Sequence, residues 1–276
     1  MNITGTVLLN ARGVNINGYD CFVNLAKDEY AYKEMIRDPA VGTTKVVDNI
    51  TTPIPGKPEF LGITSNPSDI KFGNCCFLAK NWGQIFNFFP ESKYTPLSDT
   101  YTLSLWSKVN SYYTSLPSGH SEWTVLGPGM AFNCRKGQIQ IKGFKNNISY
   151  ASYPDGAVLS FTKDTANWHH YLLETINNRV LFFYDGNKII DANITPISWI
   201  PNYIGLAGWG HDIFIDDLVF INNQALYTSN FTKPTTYLLD SDNTMNPDDI
   251  RFRRNIIAAN VDKKLIIPDP DGLKQY

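Results

Sequence analysis

The chain is poor in charge of either sign, and its two signs nearly cancel. Lys and Arg together number 24 and Asp and Glu together 26, which gives a formal net charge of -2. This balance argues against nucleic-acid binding through a general basic surface. No uncharged apolar run approaches the ~20 residues that a membrane-spanning helix requires, and residues 1–6 lack the basic and apolar regions of a secretory signal. We therefore expect neither membrane insertion nor export through a signal peptide.

Paired catalytic carboxylates are also missing. Retaining cleavage of a glycosidic bond needs two carboxyl groups about 5–5.5 Å apart, but Glu122 and Glu174 are isolated among the predicted strands. Asp216 and Asp217 are adjacent, and the alternation of side chains along a strand should turn them to opposite faces. The sequence has no nucleophile elbow or phosphate-binding glycine loop, and its four cysteines have no metal-binding spacing. We therefore predict that the protein is not an enzyme.

Aromatic residues, in contrast, are plentiful. They make up 13% of the chain, and residues of this kind favour strands. Short apolar runs recur at roughly ten-residue spacing, with turn residues rich in Gly, Pro and Asn between them, which is typical of an all-β sandwich or barrel. The predicted strands include residues 72–79, 101–108, 122–126, 138–142, 148–153 and 158–162.

One predicted strand shows most clearly how the sheets should be arranged. Residues 180–184 are apolar or aromatic on both faces, which is typical of an inner strand that is covered on both sides. Asp185 and Gly186 follow directly, and this pair is a strong signal for a type I′ hairpin turn, because both central residues of such a turn need positive φ. The stretch therefore predicts a hairpin inside a two-sheet sandwich.

A series of short motifs resembles the concanavalin A-like lectin/glucanase superfamily, and within it the laminin-G-like domains. The motifs follow one another in the family's order: Lys71-Phe72-Gly73-Asn74, Thr102-Leu103-Ser104-Leu105-Trp106-Ser107-Lys108, Trp168-His169-His170, Tyr184-Asp185-Gly186 and Ile215-Asp216-Asp217-Leu218. The resemblance covers roughly residues 69–231 and implies a jelly-roll sandwich of two antiparallel sheets. We predict that this sandwich carries irregular N- and C-terminal extensions.

The terminal regions are expected to differ from the sandwich. We predict an N-terminal attachment region and Pro-rich linker over residues 1–58, the sandwich over 59–231 and a C-terminal extension over 232–276. Within the first region, residues 28–37 suggest a short helix that starts at Asp28 and stops before Pro39. On this division, a protein without residues 1–58 should still fold as a sandwich.

The resemblance implies a structural function. Laminin-G-like domains of this kind occur on bacteriophage and phage-tail-like particles, so we expect a non-enzymatic tail, fibre, baseplate or capsid-surface protein, made in the host cytoplasm without a signal peptide. Its termini would bind other particle proteins in an oligomeric assembly, and its sandwich would face outward to attach to host-surface glycan. The alternative hypothesis is a free-standing carbohydrate-binding lectin module. A glycoside hydrolase is the third and less favoured hypothesis.

Two sets of candidate site residues follow. A sugar site usually needs exposed aromatic rings beside polar side chains, and six residues in predicted loops suit it: Trp82, Tyr112, Tyr113, Trp209, His211 and Asp212. Many laminin-G-like domains hold calcium, and the resemblance implies three hard oxygen ligands for it: Asp155, Asp212 and Asp216. Each loop aromatic has packing as its alternative role, and Asp216 has the bonding of backbone amides. For His169 and His170 we expect a structural role, because neighbouring strand residues diverge and would not share an ion.

Overall fold

The computed structural model describes twenty segments of the chain, and for several of them the backbone alone. The described residues are 1–16, 18–26, 32–37, 44–47, 50–53, 61–79, 84–89, 98, 100–109, 123–127, 130–135, 138–145, 149–160, 167–177, 179–193, 204–208, 213–246, 256–261, 264–269 and 272–275. They form strands almost throughout.

A large sheet contains the strands from both ends of the chain and from its middle: β1 (Thr6–Ile16), β2 (Tyr19–Asn24), β6 (Leu61–Thr64), β7 (Cys76–Ala79), β9 (Tyr101–Val109), β14 (His169–Ile176), β15 (Arg179–Tyr184), β16 (Asn187–Asn193), β18 (Ile213–Asn222), β19 (Ile256–Val261), β20 (Lys264–Asp269) and β21 (Gly272–Gln275). Its main order is β16-β15-β14-β9-β18-β1-β2-β19-β20-β21, and β7 joins β18 to β6.

A smaller sheet and a hairpin complete the fold. The smaller sheet has the order β13-β12-β11-β10-β17-β8-β3, and its strands are β3 (Tyr32–Arg37), β8 (Gln84–Phe89), β10 (Trp123–Gly127), β11 (Met130–Arg135), β12 (Gln138–Lys145), β13 (Ser149–Ser160) and β17 (Ile204–Gly208). The hairpin pairs β4 (Thr44–Val47) with β5 (Ile50–Pro53). The predicted all-β fold of antiparallel sheets is confirmed.

The hairpin predicted at Asp185 and Gly186 is confirmed in detail. Asp185 has φ 49° and Gly186 has φ 80°, which are the positive values that a type I′ turn requires. β15 before this turn is buried on both faces, because Val180, Leu181, Phe182 and Phe183 are all at most 1% exposed. The two-sided apolar pattern of the sequence therefore identified an inner strand correctly.

One face of the large sheet is covered by residues 224–246, which we call the covering segment. Near its start, Tyr227 and Phe231 pack against a cluster of buried residues on β14 and β15: Leu172, Leu181 and Phe183. Farther along, Leu238 and Leu239 join buried side chains of β1 and β18: Val7, Val219 and Ile221. These contacts make this face of the sheet part of the hydrophobic core.

The N-terminal strands lie inside the large sheet. β1 pairs with β18 on one side and with β2 on the other, and its Leu9 and Ala11 are fully buried. The expectation that a sandwich would fold without residues 1–58 is therefore corrected, because that deletion would remove two inner strands. β19 to β21 likewise continue the sheet beyond β2, so these parts of the extensions are regular rather than irregular.

The short helix expected over residues 28–37 is wrong for the part that the structure describes. Tyr32–Arg37 forms β3 and pairs residue by residue with β8. An isolated helix of about ten residues is marginal in water, whereas pairing with a neighbouring strand satisfies the backbone hydrogen-bonding groups directly. Tertiary pairing therefore overrides the local capping signal at Asp28, which itself lies outside the described residues.

Candidate functional site

Three connections between the two sheets begin and end on neighbouring strand ends. In the large sheet, Ile213 at the start of β18 pairs with Ala79 at the end of β7 and with Val109 at the end of β9. In the smaller sheet, Gly208 at the end of β17 pairs with Gln84 and Trp123, the first residues of β8 and β10. The connections 80–83, 110–122 and 209–212 join these two sets of ends. We call this end of the sandwich the connection end.

The sequence-predicted sugar-binding residues belong to these three connections. All six lie outside the described residues, so their own placement is not part of the structure: Trp82, Tyr112, Tyr113, Trp209, His211 and Asp212. The flanking strand ends are described, and chain connectivity holds each connection to them. Connections that are far apart in the sequence therefore begin and end at neighbouring strand ends.

The calcium candidates are spread over both sheets. Asp155 lies in β13, at the far edge of the smaller sheet, whereas Asp216 lies in β18 of the large sheet. Asp216 is fully buried, and its two carboxylate oxygens accept hydrogen bonds from the backbone N–H groups of Phe72 and Asp217, both at 2.9 Å. This bonding fits the structural role better than a metal ligand. In the described ranges no three His, Cys, Asp or Glu side chains are grouped to hold a metal ion, and calcium at Asp155 and Asp212 stays a prediction.

A β-bulge changes the relation between Asp216 and Asp217. Their strand pairs regularly with β9 up to Asp216, and the register then shifts before Val219. Asp217 adopts φ 47° at this bulge, so the simple alternation expected from the sequence does not apply. Burial lowers the pKa of the Arg12 guanidinium, and the charges of Asp217 and Asp216 both act against that shift. Two carboxylates expected on opposite faces therefore both act on one arginine.

Burial also raises the pKa values of this acidic pair, to about 8 for Asp216 and about 7 for Asp217. One oxygen of Asp217 accepts a hydrogen bond from the backbone N–H of Leu238 at 2.7 Å. The pair therefore fastens two distant parts of the chain to β18, the loop at Phe72 and the covering segment.

Asp185 holds the two histidines of β14 and the covering segment together. Its carboxylate lies 2.9 Å from Nδ1 of His169 and 3.1 Å from Nζ of Lys233, and it accepts the backbone N–H of His170 at 3.0 Å. Burial alone would raise the pKa of Asp185, but the hydrogen bonds from His169, His170 and Lys233 hold it at about 2. The geometry agrees with the structural role expected for these histidines.

A serine and a histidine also lie side by side in the sheet, at a distance that a catalytic pair would show. Oγ of Ser104 is 2.8 Å from Nε2 of His170. Both side chains are fully buried, however, and burial lowers the pKa of His170 to about 3. No substrate can reach a pair that is sealed under the covering segment, so its geometry supports packing rather than catalysis.

Glu174, which has no second carboxylate near it in the sequence, binds the start of the covering segment through hydrogen bonds. It accepts the backbone N–H groups of Leu226 at 2.8 Å and Tyr227 at 2.9 Å, and the hydroxyl of Thr102 at 3.2 Å. Burial raises its pKa to about 7 against these three hydrogen bonds. Like Asp216, Asp217 and Asp185, it bonds to the protein itself.

A cavity of about 780 Å³ opens between the covering segment and β1. Arg12, Val14 and Leu25 line one side of it, and Tyr237 and Thr244 belong to the other. Sequence reasoning missed this site. The one available signal was Arg12 itself, a single basic residue within the mostly apolar residues 7–14.

The fold has known counterparts. It is similar to botulinum neurotoxin binding domains. The serotype D binding domain matches at a TM-score of 0.51 with 12% identity, over 81% of this chain and 49% of that one. The receptor-binding domain of the C/D mosaic serotype matches at 0.50 with 13% identity, over 80% and 49%. A structure of type C, whose cell entry is described as dependent on two ganglioside molecules, matches at 0.51 with 11% identity, also over 80% and 49%.

These likenesses concern the fold, and the chain spans about half the length of the structures that it matches. No protein-family model matches the chain, and neither does any curated protein. Within the described part of the chain, no helix is long and apolar enough to cross a membrane.

Proposed function

We propose that this chain is a non-enzymatic, carbohydrate-binding β-sandwich that attaches to glycans on a cell surface through its connection end. The observation that carries the proposal is the convergence of three connections at paired strand ends, since these connections contain all six candidate ligand residues. The fold similarity to a toxin whose cell entry depends on gangliosides adds support.

The residue types at the connection end suit a sugar. The faces of sugar rings are apolar, so aromatic side chains pack against them, while a few polar groups fix the orientation of the hydroxyls. Trp82, Trp209 and the two tyrosines supply rings, and His211 and Asp212 supply hydrogen-bonding groups. Binding residues are often carried on connections that a rigid scaffold positions.

The absence of enzymatic activity is supported by what the described acids do. Glu174, Asp216, Asp217 and Asp185 all accept hydrogen bonds from the protein. Hydrolysis would need a general acid and a second carboxylate that both reach a glycosidic bond. Among the described residues, these acids form hydrogen bonds that stabilise the covering segment and the turns.

The proposal is tested by measuring glycan binding of the intact protein on a broad glycan array, with Trp209→Ala and Trp82→Ala beside it. We expect at least about a tenfold loss of affinity in each, because one stacked ring is worth roughly 1.4 kcal/mol or more. Ile189→Ala is the matched control, since Ile189 is an exposed apolar residue on β16. A folded wild-type protein that binds no glycan on the array contradicts the proposal.

A finer proposal concerns where the sandwich is displayed. The sequence resemblance supports a component of a bacteriophage or phage-tail-like particle that is made in the host cytoplasm and is oligomeric in the assembly. β21 supports a way of joining partners, because it ends the order of the large sheet and pairs with β20 alone among the described strands. Edge strands of this kind accept a strand from another chain.

This finer proposal is tested by deleting residues 272–276, which leaves β1 and β2 in place. The deletion should reduce recovery of the protein in purified particles while glycan binding in solution remains. Unchanged recovery would contradict attachment through this edge. Full glycan binding by a protein that is never found in particles would favour the alternative, a free-standing lectin module.

A further inference from the structure

The cavity beside Arg12 holds a buried positive charge that the protein itself does not neutralise by direct contact. Arg12 is 8% exposed. No described Asp or Glu lies within ion-pair distance of its guanidinium, and the charges of Asp216 and Asp217 act on it from farther away. Its guanidinium has five N–H donors, one of which donates to Oγ1 of Thr244 at 2.7 Å. Burying a charge is costly unless it is paired, so this arginine is suited to an anion that arrives from outside.

The guanidinium is also held in a fixed orientation. It lies over the ring of Tyr237, 4.3 Å from the ring centre, and Tyr237 in turn donates its hydroxyl hydrogen to the backbone oxygen of Gly13 at 3.3 Å. Thr244 donates to the backbone oxygen of Asp240 at 2.6 Å, which fixes the acceptor of Arg12. A group that is oriented before binding loses less entropy when a ligand arrives.

The walls of the cavity are mixed in polarity. Val14, Leu25, Leu238 and Met245 are apolar, whereas Thr236 and Ser241 carry hydroxyls. The lining also contains the carboxylate of Asp240, whose Oδ1 accepts a hydrogen bond from Asn243 at 2.6 Å. The volume of about 780 Å³ is in the range of small-molecule sites, which combine apolar walls with a few oriented polar groups.

We infer that this cavity is a second ligand site, in which Arg12 binds the carboxylate of an acidic sugar such as a uronic acid. A planar guanidinium matches a carboxylate with two parallel hydrogen bonds, which an ammonium cannot reproduce. The apolar wall would pack against the sugar ring and the hydroxyls of the lining would bond its hydroxyl groups. The choice of a sugar as the body of the ligand rests on the proposed carbohydrate-binding function, whereas the carboxylate rests on Arg12 alone.

The test titrates the intact protein with glucuronate and follows binding by ligand-observed NMR and calorimetry. Glucose and the methyl ester of glucuronic acid are the matched neutral ligands, and hexanoate is a carboxylate with an apolar body. We expect glucuronate to bind and both neutral sugars to bind at least about tenfold more weakly. Arg12→Lys should lower the affinity for glucuronate about tenfold, since the two parallel hydrogen bonds are lost.

A pair of surface variants keeps the test independent of folding. Thr236→Trp places a large side chain in the lining of the cavity, whereas Thr235→Trp makes the same change at an exposed neighbour outside the lining. Only Thr236→Trp should abolish glucuronate binding. Equal binding by both variants, or a wild-type protein that does not bind glucuronate, overturns the inference. Binding of hexanoate without glucuronate overturns the assignment to a sugar.

The outcome is separable from that of the connection end. Trp209→Ala should leave glucuronate binding to the cavity unchanged, and Thr236→Trp should leave binding of neutral glycans on the array unchanged. For the wild-type protein, glucuronate binding without glycan binding on the array would therefore contradict the proposed function alone, and glycan binding on the array without glucuronate binding would contradict the inference about Arg12 alone.

Discussion

The variant Gly186→Ala tests how the hairpin supports the covering segment. A Cβ atom added at Gly186 would lie 2.1 Å from the backbone oxygen of Phe231, a distance at which the segment must move. Phe231 N–H donates to the oxygen of Gly186 at 3.0 Å, and its ring packs against Phe183 and Tyr227 with centroid distances of 5.3 and 3.8 Å. Gly186→Ala should therefore disturb both the turn and the segment above it.

The expected magnitude has two parts. Alanine at positive φ costs about 1 kcal/mol relative to glycine. Displacing Phe231 removes one hydrogen bond, worth about 1 kcal/mol, and part of the burial of an aromatic ring, worth about another 1 kcal/mol for a half-buried side chain. We expect Gly186→Ala to lower the free energy of unfolding by about 3 kcal/mol in urea denaturation.

Gly18 provides a matched control in the hairpin between β1 and β2. It has φ 88°, close to the 80° of Gly186, but an added Cβ would meet nothing within 4 Å. Gly18→Ala should therefore show the backbone cost alone, about 1 kcal/mol. If the two variants lose the same stability within about 0.5 kcal/mol, the covering segment does not depend on close contact with this turn.

Three further predictions concern buried ionisable groups. The folded-state pKa of Glu174 is raised to about 7 from 4.5, so the folded protein binds the extra proton between these values, and the contribution of Glu174 to stability should fall by up to about 3 kcal/mol as pH rises from about 4.5 to 7. The pKa values of Asp216 and Asp217 are also raised, so Glu174→Gln should remove the share of Glu174 alone, measured as its difference from the wild type in urea denaturation across that range. The folded-state pKa of His170 is lowered to about 3 from 6.5, so its contribution to stability has the opposite sign and is lost as pH falls below about 6.5. His170→Gln should flatten this loss of stability. Ser104→Ala retains the histidine and should therefore keep the loss. Asp217→Ala should leave the backbone N–H of Leu238 without its acceptor and lower stability by about 1–3 kcal/mol; unchanged protease resistance of the covering segment would contradict that role.

Much of the fold was predictable because its signals are local. The two-sided apolar run of β15 and the Asp-Gly pair after it predict an inner strand and its turn, and both depend on the intrinsic preferences of a few adjacent residues. The resemblance of the motifs to a known family also predicts the architecture, and both sheets are antiparallel as expected. The candidate sugar residues were chosen by residue type and loop position, and pairing of the flanking strands then ties them to one end.

Other features had no local signal. The sequence of β1 resembles that of any other apolar run. Only its pairing with β18 and β2 shows that the N-terminal region is part of the sheet. A strand pattern contains no mark of a bulge, so the register shift after Asp216 was not predicted. The short helix was predicted from a capping residue, but the neighbouring β8 decided the conformation.

The sequence by itself determined the β class, the hairpin at Asp185 and Gly186 and the residue types available for a ligand, because periodicity and turn preference act over a few residues. The tertiary structure decided which segments are neighbours. Arg12 lies far in the sequence from Tyr237 and Thr244, and the three residues line one cavity only because the covering segment crosses β1. Burial and charge pairing depend on such distant contacts, so the site at Arg12 emerges only once the sheet and its covering segment are assembled.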